Sequence, residues 1–219
     1  MQRPHRLFAF LCAFLALSLL SARPALAQSI LRDAETEALL QDMAAPLVEA
    51  AGLEPGNVQI VLVNDPSINA FVAGGQIVYI HSGLIDAADT ANEVQGVIAH
   101  ELGHITGGHI NRYSEGAGNA TKVSLLSLLL GVAAAAAGAG EVAPGIMMAG
   151  QRAALGTFLA FSRVQEASAD AAGAEYLSKA GISGRGSLTF FRKLQGEISR
   201  RGYRRNDETE FVLRLLCRL

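Results

Sequence analysis

Cysteine and tryptophan are scarce in this sequence, which has two cysteines, Cys12 and Cys217, and no tryptophan among its 219 residues. Cys12 lies in the N-terminal segment that we expect to be removed, so Cys217 has no partner for an internal disulfide. Basic charge is also limited. Removal of that segment, which contains three arginines and no acidic residue, leaves 15 basic and 20 acidic residues, a net charge of −5. This balance argues against a nucleic-acid partner.

The N-terminus has the pattern of an export signal. Arg3 and Arg6 precede an uncharged, mostly apolar run at residues 7–20, and Ala25-Leu26-Ala27 fits an A-x-A cleavage site. The apolar run is short for a transmembrane anchor, the competing interpretation. We therefore expect a cleavable signal peptide at residues 1–27, a single domain at residues 28–219, and export to the periplasm.

The strongest chemical motif is the HExxH sequence formed by His100, Glu101 and His104. Apolar residues recur at helical spacing around it, which predicts an amphipathic helix. On a helix, residues four apart point the same way, so the two imidazoles can bind one zinc ion. Glu101 is the candidate general base. The alternative is two surface histidines on a core helix.

A third ligand is available downstream. Glu166 and Asp170 are four residues apart and share one helical face. Their mutual repulsion would be relieved by a metal and its histidines. We expect Glu166 to bind the zinc and Asp170 to accept a hydrogen bond from a ligand histidine. A solvated acidic face is the alternative, although the surrounding alanines and Gly173 favour close helix packing.

Together these motifs resemble the HtpX/BepA group of zinc metallopeptidases, relatives of the CAAX prenyl endopeptidase. Three further stretches are similar to that group, at residues 69–79, 82–85 and 92–99. The resemblance implies an α+β, zincin-like metallopeptidase domain that is mostly helical with a small β-sheet and holds one Zn²⁺ per chain. It also implies a zinc-dependent endopeptidase acting on unfolded or misassembled envelope polypeptides, in outer-membrane protein quality control.

The resemblance weakens near the end of the sequence. Members similar to BepA continue with a His-Pro segment and helical repeats, whereas residues 203–219 contain no histidine and no proline. We therefore expect the domain to be atypical from about residue 203. A second hypothesis remains open, in which this is a truncated, non-catalytic domain that binds zinc or unfolded proteins.

A small sheet is predicted before the metal-binding helix. Residues 58–63 are rich in β-branched side chains, and Gly74-Gly75 separates two strand-like segments as in a hairpin. The resemblance suggests that an edge strand binds the substrate backbone by strand addition. We place that edge at Ala70, Phe71, Val72 and Ala73. A purely structural hairpin is equally consistent with the pattern.

Two other histidines of residues 28–219 lie outside the motif. His109 is five residues after His104, about 140° around a continuous helix, so we expect it to be solvated and away from the metal. His81 ends a predicted strand and could lie near the cleft.

The segment between the second and third ligands is unusually apolar. Residues 123–140 carry no charge, and residues 153–161 are also apolar. Three interpretations compete: two buried core helices, a lid or hairpin that touches a membrane surface through residues 123–161, and a membrane-spanning helix. Spanning requires about 20 strongly apolar residues, and this run is mostly alanine and glycine after Leu130.

Overall fold

The computed structural model describes residues 29–200. The predicted signal peptide and the atypical C-terminal residues lie outside this range. The described part is mostly helical with one four-stranded sheet, as expected for the fold class. In chain order the elements are β1 (Ser29–Ile30), α1 (Ala34–Ala50), a 3-10 turn (Pro55–Asn57), β2 (Gln59–Asn64), β3 (Ala70–Ala73), β4 (Ile77–His81), α2 (Ser82–Ala87), α3 (Ala91–Thr106), α4 (His109–Ala136), α5 (Ala143–Lys179) and α6 (Arg185–Arg200).

The sheet has the strand order β1-β2-β4-β3, so β3 is one of its edges. β3 and β4 form the predicted antiparallel hairpin, in which Phe71 pairs with Tyr79 and their rings stack at 5.0 Å. The connecting turn needs two residues with positive φ, and Gly74 and Gly75 supply them at 64° and 96°. β2 pairs with β4 in parallel.

Helix α3, which carries the HExxH motif, is the central element. Thr90 caps its N-terminus, since its hydroxyl accepts a hydrogen bond from the Glu93 backbone N–H at 3.3 Å. The apolar face predicted from the sequence is buried, with Ile98 and Leu102 fully inaccessible to solvent. These side chains join a core that includes Leu47 of α1 and buried residues of the sheet. The helix with the motif is therefore held on several sides.

A buried ionic contact joins α3 to α6. Glu93 is 3% exposed and accepts hydrogen bonds from Thr189 Oγ1 at 2.8 Å and from Lys193 Nζ at 3.3 Å. Lys193 Nζ also lies 2.7 Å from the Asp89 carboxylate. Burial alone would raise the pKa of Glu93, but these partners and the Asp89 backbone N–H hold it below its usual value. This contact fixes the start of α3.

Small residues allow α5 to cross α3 at very short range. A Cβ atom added at Gly103 would lie 2.5 Å from the carbonyl oxygen of Ala169, and one added at Gly173 would lie 3.0 Å from the backbone nitrogen of His100. Both distances are shorter than ordinary van der Waals contact. Because Gly103 and Gly173 have no side chains, the backbones of the two ligand-bearing helices approach directly.

Helices α4 and α5 form an antiparallel hairpin that projects from the core. Gly150 of α5 faces Ser127 of α4, and Gly116 of α4 faces Phe161 of α5. Of the three interpretations of this segment, the structure contradicts two buried core helices, because many large apolar side chains on the hairpin are more than a third exposed. They include Leu125, Leu126, Leu128, Leu129, Leu130, Val132, Val142, Met148 and Leu155. The hairpin therefore presents an apolar surface to its surroundings.

Within residues 29–200, α4 is the helix whose length and composition would allow it to cross a membrane. Only 11% of its most apolar 18-residue window is buried. This exposure distinguishes α4 from the central helix α3, most of whose apolar residues are buried.

Candidate metal centre

Helices α3 and α5 bring the three predicted ligands together. His100 Nε2 lies 3.1 Å from His104 Nε2, and Glu166 places one carboxylate oxygen 3.4 Å from His100 Nε2 and the other 3.7 Å from His104 Nε2. Among the described residues, these three form the one group of histidine, cysteine or acidic side chains close enough to share a metal ion. The short crossing of α3 and α5 produces this proximity.

The spacing of the ligand atoms fits a tetrahedral zinc site. With zinc–nitrogen and zinc–oxygen bonds of about 2.0–2.2 Å, neighbouring ligand atoms of a tetrahedron lie about 3.3 Å apart. The two imidazole nitrogens lie 3.1 Å apart, and each has one Glu166 oxygen, a different one for each ring, at 3.4 or 3.7 Å, so the separations are close to that value. Two imidazoles and one carboxylate also match the donor set of catalytic zinc sites that keep a fourth position open. The residues present therefore fit zinc.

Asp170 contacts the first ligand, in the place that its spacing from Glu166 predicts. Its Oδ1 lies 2.8 Å from His100 Nδ1. If Nδ1–H donates to this carboxylate, the Nε2 lone pair of His100 is directed toward the other ligands. The rings of Phe191 and His100 also pack edge to face, with centroids 5.9 Å apart. Asp170 and Phe191 together orient the His100 ring.

Before metal binds, the ligands form a tight ionic cluster. Burial alone would lower the pKa of His100, but its contacts with Asp170 and Glu166 raise it to about 10. Burial would raise the pKa of Glu166, yet hydrogen bonds from His100 and His104 lower it to about 2. The negative carboxylates therefore hold a proton on His100 that a metal ion must displace.

Glu101 lies beside the ligands on α3 and is only 7% exposed. Burial is the largest influence on this group and raises the pKa of its carboxyl above the usual value, although His100 and His104 oppose that rise. A carboxylate with a raised pKa accepts and returns protons more readily near neutral pH. The position and environment of Glu101 suit a general base.

The prediction that His109 is solvated is wrong, although His109 is not one of the grouped ligand residues. The helix does not continue past Thr106: α3 ends there, and α4 starts at His109 after Gly108, whose φ of 61° turns the chain. His109 is therefore 8% exposed rather than solvated, and its Nδ1 lies 3.0 Å from His104 Nδ1. Burial and the neighbouring His104 lower the pKa of His109 to about 4, so the ring is neutral at physiological pH.

His81 is buried at the end of β4, where Ser67 Oγ lies 2.8 Å from its Nδ1. It is not part of the ligand group and packs against the edge strand through Phe71, at a centroid distance of 5.8 Å. The strand β3 is half-buried at all four positions and contacts α3. The predicted substrate edge is thus an edge strand close to the metal-binding helix.

Sequence reasoning missed the residues that surround His109. Ser168 Oγ lies 2.9 Å from His109 Nε2, and it also donates to the carbonyl oxygen of Gln165 at 2.9 Å. The useful signal was Gly107-Gly108, a pair that interrupts helices and makes room for a turn. The glycine pair indicates that one helix ends before His109 and another begins there.

Comparison with known proteins shows that the chain is similar to metallopeptidases. The family model described as "Peptidase family M48" matches residues 31–212. The chain is 37% identical over 144 residues to "Metalloprotease LoiP" of Escherichia coli K12, covering 64% of this chain and 52% of that protein.

Two other similar proteins carry related names. A "Putative beta-barrel assembly-enhancing protease" of Vibrio cholerae is 29% identical over 174 residues, which are 78% of this chain and 35% of that protein. The "Beta-barrel assembly-enhancing protease" of Escherichia coli K12 is 31% identical over 137 residues, or 61% and 27% of the two chains. The chain thus spans between about a quarter and a half of the length of these relatives.

Proposed function

The chain belongs to peptidase family M48, and from this membership and the geometry of its metal centre we propose that it is a zinc-dependent endopeptidase. One observation carries the proposal: His100, His104 and Glu166 bring one group of potential metal-ligand atoms together, with the two imidazole nitrogens 3.1 Å apart. The buried general-base candidate Glu101 lies next to two of them in the chain. A structural zinc site uses four protein ligands and has no need of such a base.

We assign the proton transfers to Glu101. When bound, zinc supplies the Lewis acidity that polarises a peptide carbonyl and acidifies water. Glu101 takes a proton from the attacking water as the oxygen bonds to the carbonyl carbon. As the carbon–nitrogen bond breaks, Glu101 delivers that proton to the leaving amine, so water is consumed and the base is regenerated. Asp170 keeps the His100 ring in place throughout.

We propose that the substrate is an extended polypeptide that pairs with β3. Support comes from the position of Ala70–Ala73 at the sheet edge and from its contact with α3. An edge strand offers unpaired backbone groups to a peptide. Because these hydrogen bonds involve only the backbone, binding depends little on the sequence of the peptide. Such a site suits unfolded chains of varied sequence.

The proposed setting is quality control of envelope proteins. Two relatives are named for enhancing β-barrel assembly, and this supports unfolded or misassembled envelope polypeptides as substrates. Export through a signal peptide at residues 1–27 would bring the enzyme to that compartment.

We further propose that the α4–α5 hairpin rests in a lipid surface. Between Lys122 and Arg152 the only charged residue is Glu141, and both basic residues are exposed. The uncharged part of α4, residues 123–136, is about 21 Å long. This length is short of the full hydrocarbon core of about 30 Å, which favours a helix lying along the surface over one that crosses the membrane. Lys122 and Arg152 would then meet anionic headgroups.

Flotation with vesicles of phosphatidylethanolamine and phosphatidylglycerol tests this contact. Leu126→Glu should reduce vesicle binding strongly, because a charge would enter the apolar surface. Leu39→Glu on α1 is the matched control, since Leu39 and Leu126 are both 58% exposed. Wild-type protein that stays with the unbound fraction, or equal loss in both variants, would contradict the lipid contact.

The central experiment compares Glu101→Gln with wild type in zinc content and in cleavage of an unfolded protein such as casein. The variant should keep one zinc per chain and lose at least about 100-fold in rate, because the amide cannot accept a proton. Glu115→Gln, an exposed change on α4, is the control. Equal cleavage by Glu101→Gln would refute the mechanism. Wild type that binds zinc but cleaves nothing would support the non-catalytic hypothesis instead.

A further inference from the structure

His109 lies where α3, α4 and α5 meet, and both nitrogens of its ring face a polar partner. Its Nδ1 is 3.0 Å from His104 Nδ1, and its Nε2 is 2.9 Å from Ser168 Oγ. The rings of His104 and His109 pack edge to face, with centroids 5.0 Å apart. His109 is therefore fixed in position by contacts on two sides.

The hydrogen bonds can be assigned without leaving a donor unpaired. The Nε2 atom of His104 faces the other ligands, so its Nδ1 carries the proton when the ring binds a metal. That N–H donates to His109 Nδ1, which must then accept. The remaining proton of neutral His109 is on Nε2 and donates to Ser168, whose hydroxyl donates to the Gln165 carbonyl.

This chain of hydrogen bonds connects two ligands through the protein. It starts at His104 on α3, passes through His109 on α4, and ends on α5 at Ser168 and Gln165, which flank Glu166 in sequence. The orientation of the His104 ring is thereby tied to the helix turn that holds the carboxylate ligand. Asp170 makes the corresponding contact for His100.

The local sequence makes this arrangement possible. Gly108 adopts a φ of 61°, which lets the chain leave α3 and start α4 with His109 turned back toward His104. Gly107 lies directly against the His109 ring, and a side chain there would overlap the ring atoms. The two glycines thus provide both the turn and the space.

We propose that His109 is a positioning residue for the metal centre, which holds His104 in the tautomer and orientation that present Nε2 to zinc. This inference rests on the proposed zinc site but not on peptidase activity. It assigns His109 the role toward His104 that Asp170 has toward His100, with a neutral imidazole in place of a carboxylate.

The test measures zinc affinity by chelator competition, together with the tautomer of His104 by long-range proton–nitrogen NMR of the zinc-loaded Glu101→Gln protein. His109→Phe keeps an aromatic ring but removes the acceptor, and should weaken zinc binding by about 10–100-fold. His109→Gln can accept from His104 and donate to Ser168, so it should restore most of the affinity. The NMR spectrum should show His104 protonated at Nδ1.

Ser168→Ala provides a milder change and a matched control. Ser168 and Ser114 both donate a hydroxyl proton to the carbonyl three residues earlier, but only Ser168 also contacts His109. Ser168→Ala should weaken zinc binding and Ser114→Ala should not. If His109→Phe does not fold, these two serine variants decide the question.

Three results would overturn the inference. They are unchanged zinc affinity in His109→Phe and Ser168→Ala, equal loss in His109→Gln and His109→Phe, or a His104 that binds zinc through Nδ1. Each is distinct from failure of the proposed zinc site, in which wild-type protein itself would hold no zinc, and from failure of the proposed peptidase activity, in which wild type would hold zinc but not cleave casein.

Discussion

Replacing Gly103 with alanine should disturb the metal centre without altering a ligand. The new Cβ would lie 2.5 Å from the Ala169 carbonyl oxygen and 2.8 Å from its Cα. Ordinary contacts between such atoms begin near 3.5 Å, so the shortfall is about 1 Å. Both groups belong to the backbone of α5, and no side-chain rotation can relieve the overlap. The helix that carries Glu166 must move away from α3.

The expected loss of zinc affinity follows from how little the zinc–ligand distances can vary. Zinc–ligand distances hold to about 0.2 Å, and Glu166 lies less than one helical turn before Ala169, so it shares most of the displacement. We expect zinc affinity to fall by about 10–100-fold, as when groups that orient ligands are changed. The overpacking should lower the free energy of unfolding by about 1–3 kcal/mol. Higher helix propensity of alanine offsets about 1 kcal/mol of this.

A graded series tests the reasoning. A Cβ atom at Gly173 would lie 3.0 Å from the backbone nitrogen of His100, and one at Gly156 would have no neighbouring atom within 4 Å. Zinc affinity, measured by chelator competition, should therefore decrease from Gly156→Ala to Gly173→Ala to Gly103→Ala, with Gly156→Ala at or above wild-type stability. Wild-type affinity in Gly103→Ala, or an equal effect at Gly156, would refute the claim that the helix crossing sets the ligand distances.

Four more expectations concern charge. Because the pKa of His100 is raised from 6.5 to about 10 in the metal-free protein, zinc binding near pH 8 should release about one proton from this ring, measured calorimetrically in buffers of different ionisation enthalpy. The raised pKa of His100 stabilises the metal-free protein fully below pH 6.5, and this stabilisation is lost between pH 6.5 and about 10, so the melting temperature of the metal-free protein should fall over that range. The lowered pKa of Glu166 acts in the opposite direction. Its stabilisation is present above pH 4.5 and is lost as the pH falls toward 2. Asp170→Asn should keep the fold and weaken zinc binding by about 10–100-fold in chelator competition, since a neutral amide orients His100 less firmly. Lys193→Met should lower the free energy of unfolding by about 1.5–3 kcal/mol in urea, because buried Glu93 loses its charged partner, whereas Lys122→Met on the exposed hairpin should change it little.

The sequence predicted the parts of this fold that depend on local pattern. Spacing of apolar residues located α3 and α1, and Gly74-Gly75 located the β3–β4 hairpin. Ligand spacing also predicted the site, because residues four apart on a helix share a face regardless of what surrounds it. His100 and His104 share a face of α3, and the structure brings Glu166 of α5 beside them; their role as zinc ligands stays a prediction.

The errors arose where helix boundaries and burial depend on tertiary contacts. A continuous helix through Gly107-Gly108 would leave His109 solvated, whereas α3 ends at Thr106 and α4 starts at a buried His109. The apolar residues 123–140 suggested burial, yet nothing in the described structure covers them, and apolar composition alone does not say what lies alongside. Contacts such as Gly103 on Ala169 follow from the relative placement of two helices and have no local signature.

The continuous helix α5 gives the molecule a pivot close to the metal. Its contact with Gly103 is at Ala169, about 39 Å from the start of the helix at Ala143 but only about 4.5 Å from Glu166. A tilt of about 3° around this contact would move the hairpin end by about 2 Å and Glu166 by about 0.2 Å, within the tolerance of a zinc–oxygen bond. On the lipid surface proposed above, the apolar hairpin could therefore move by this amount while the ligand geometry stays intact.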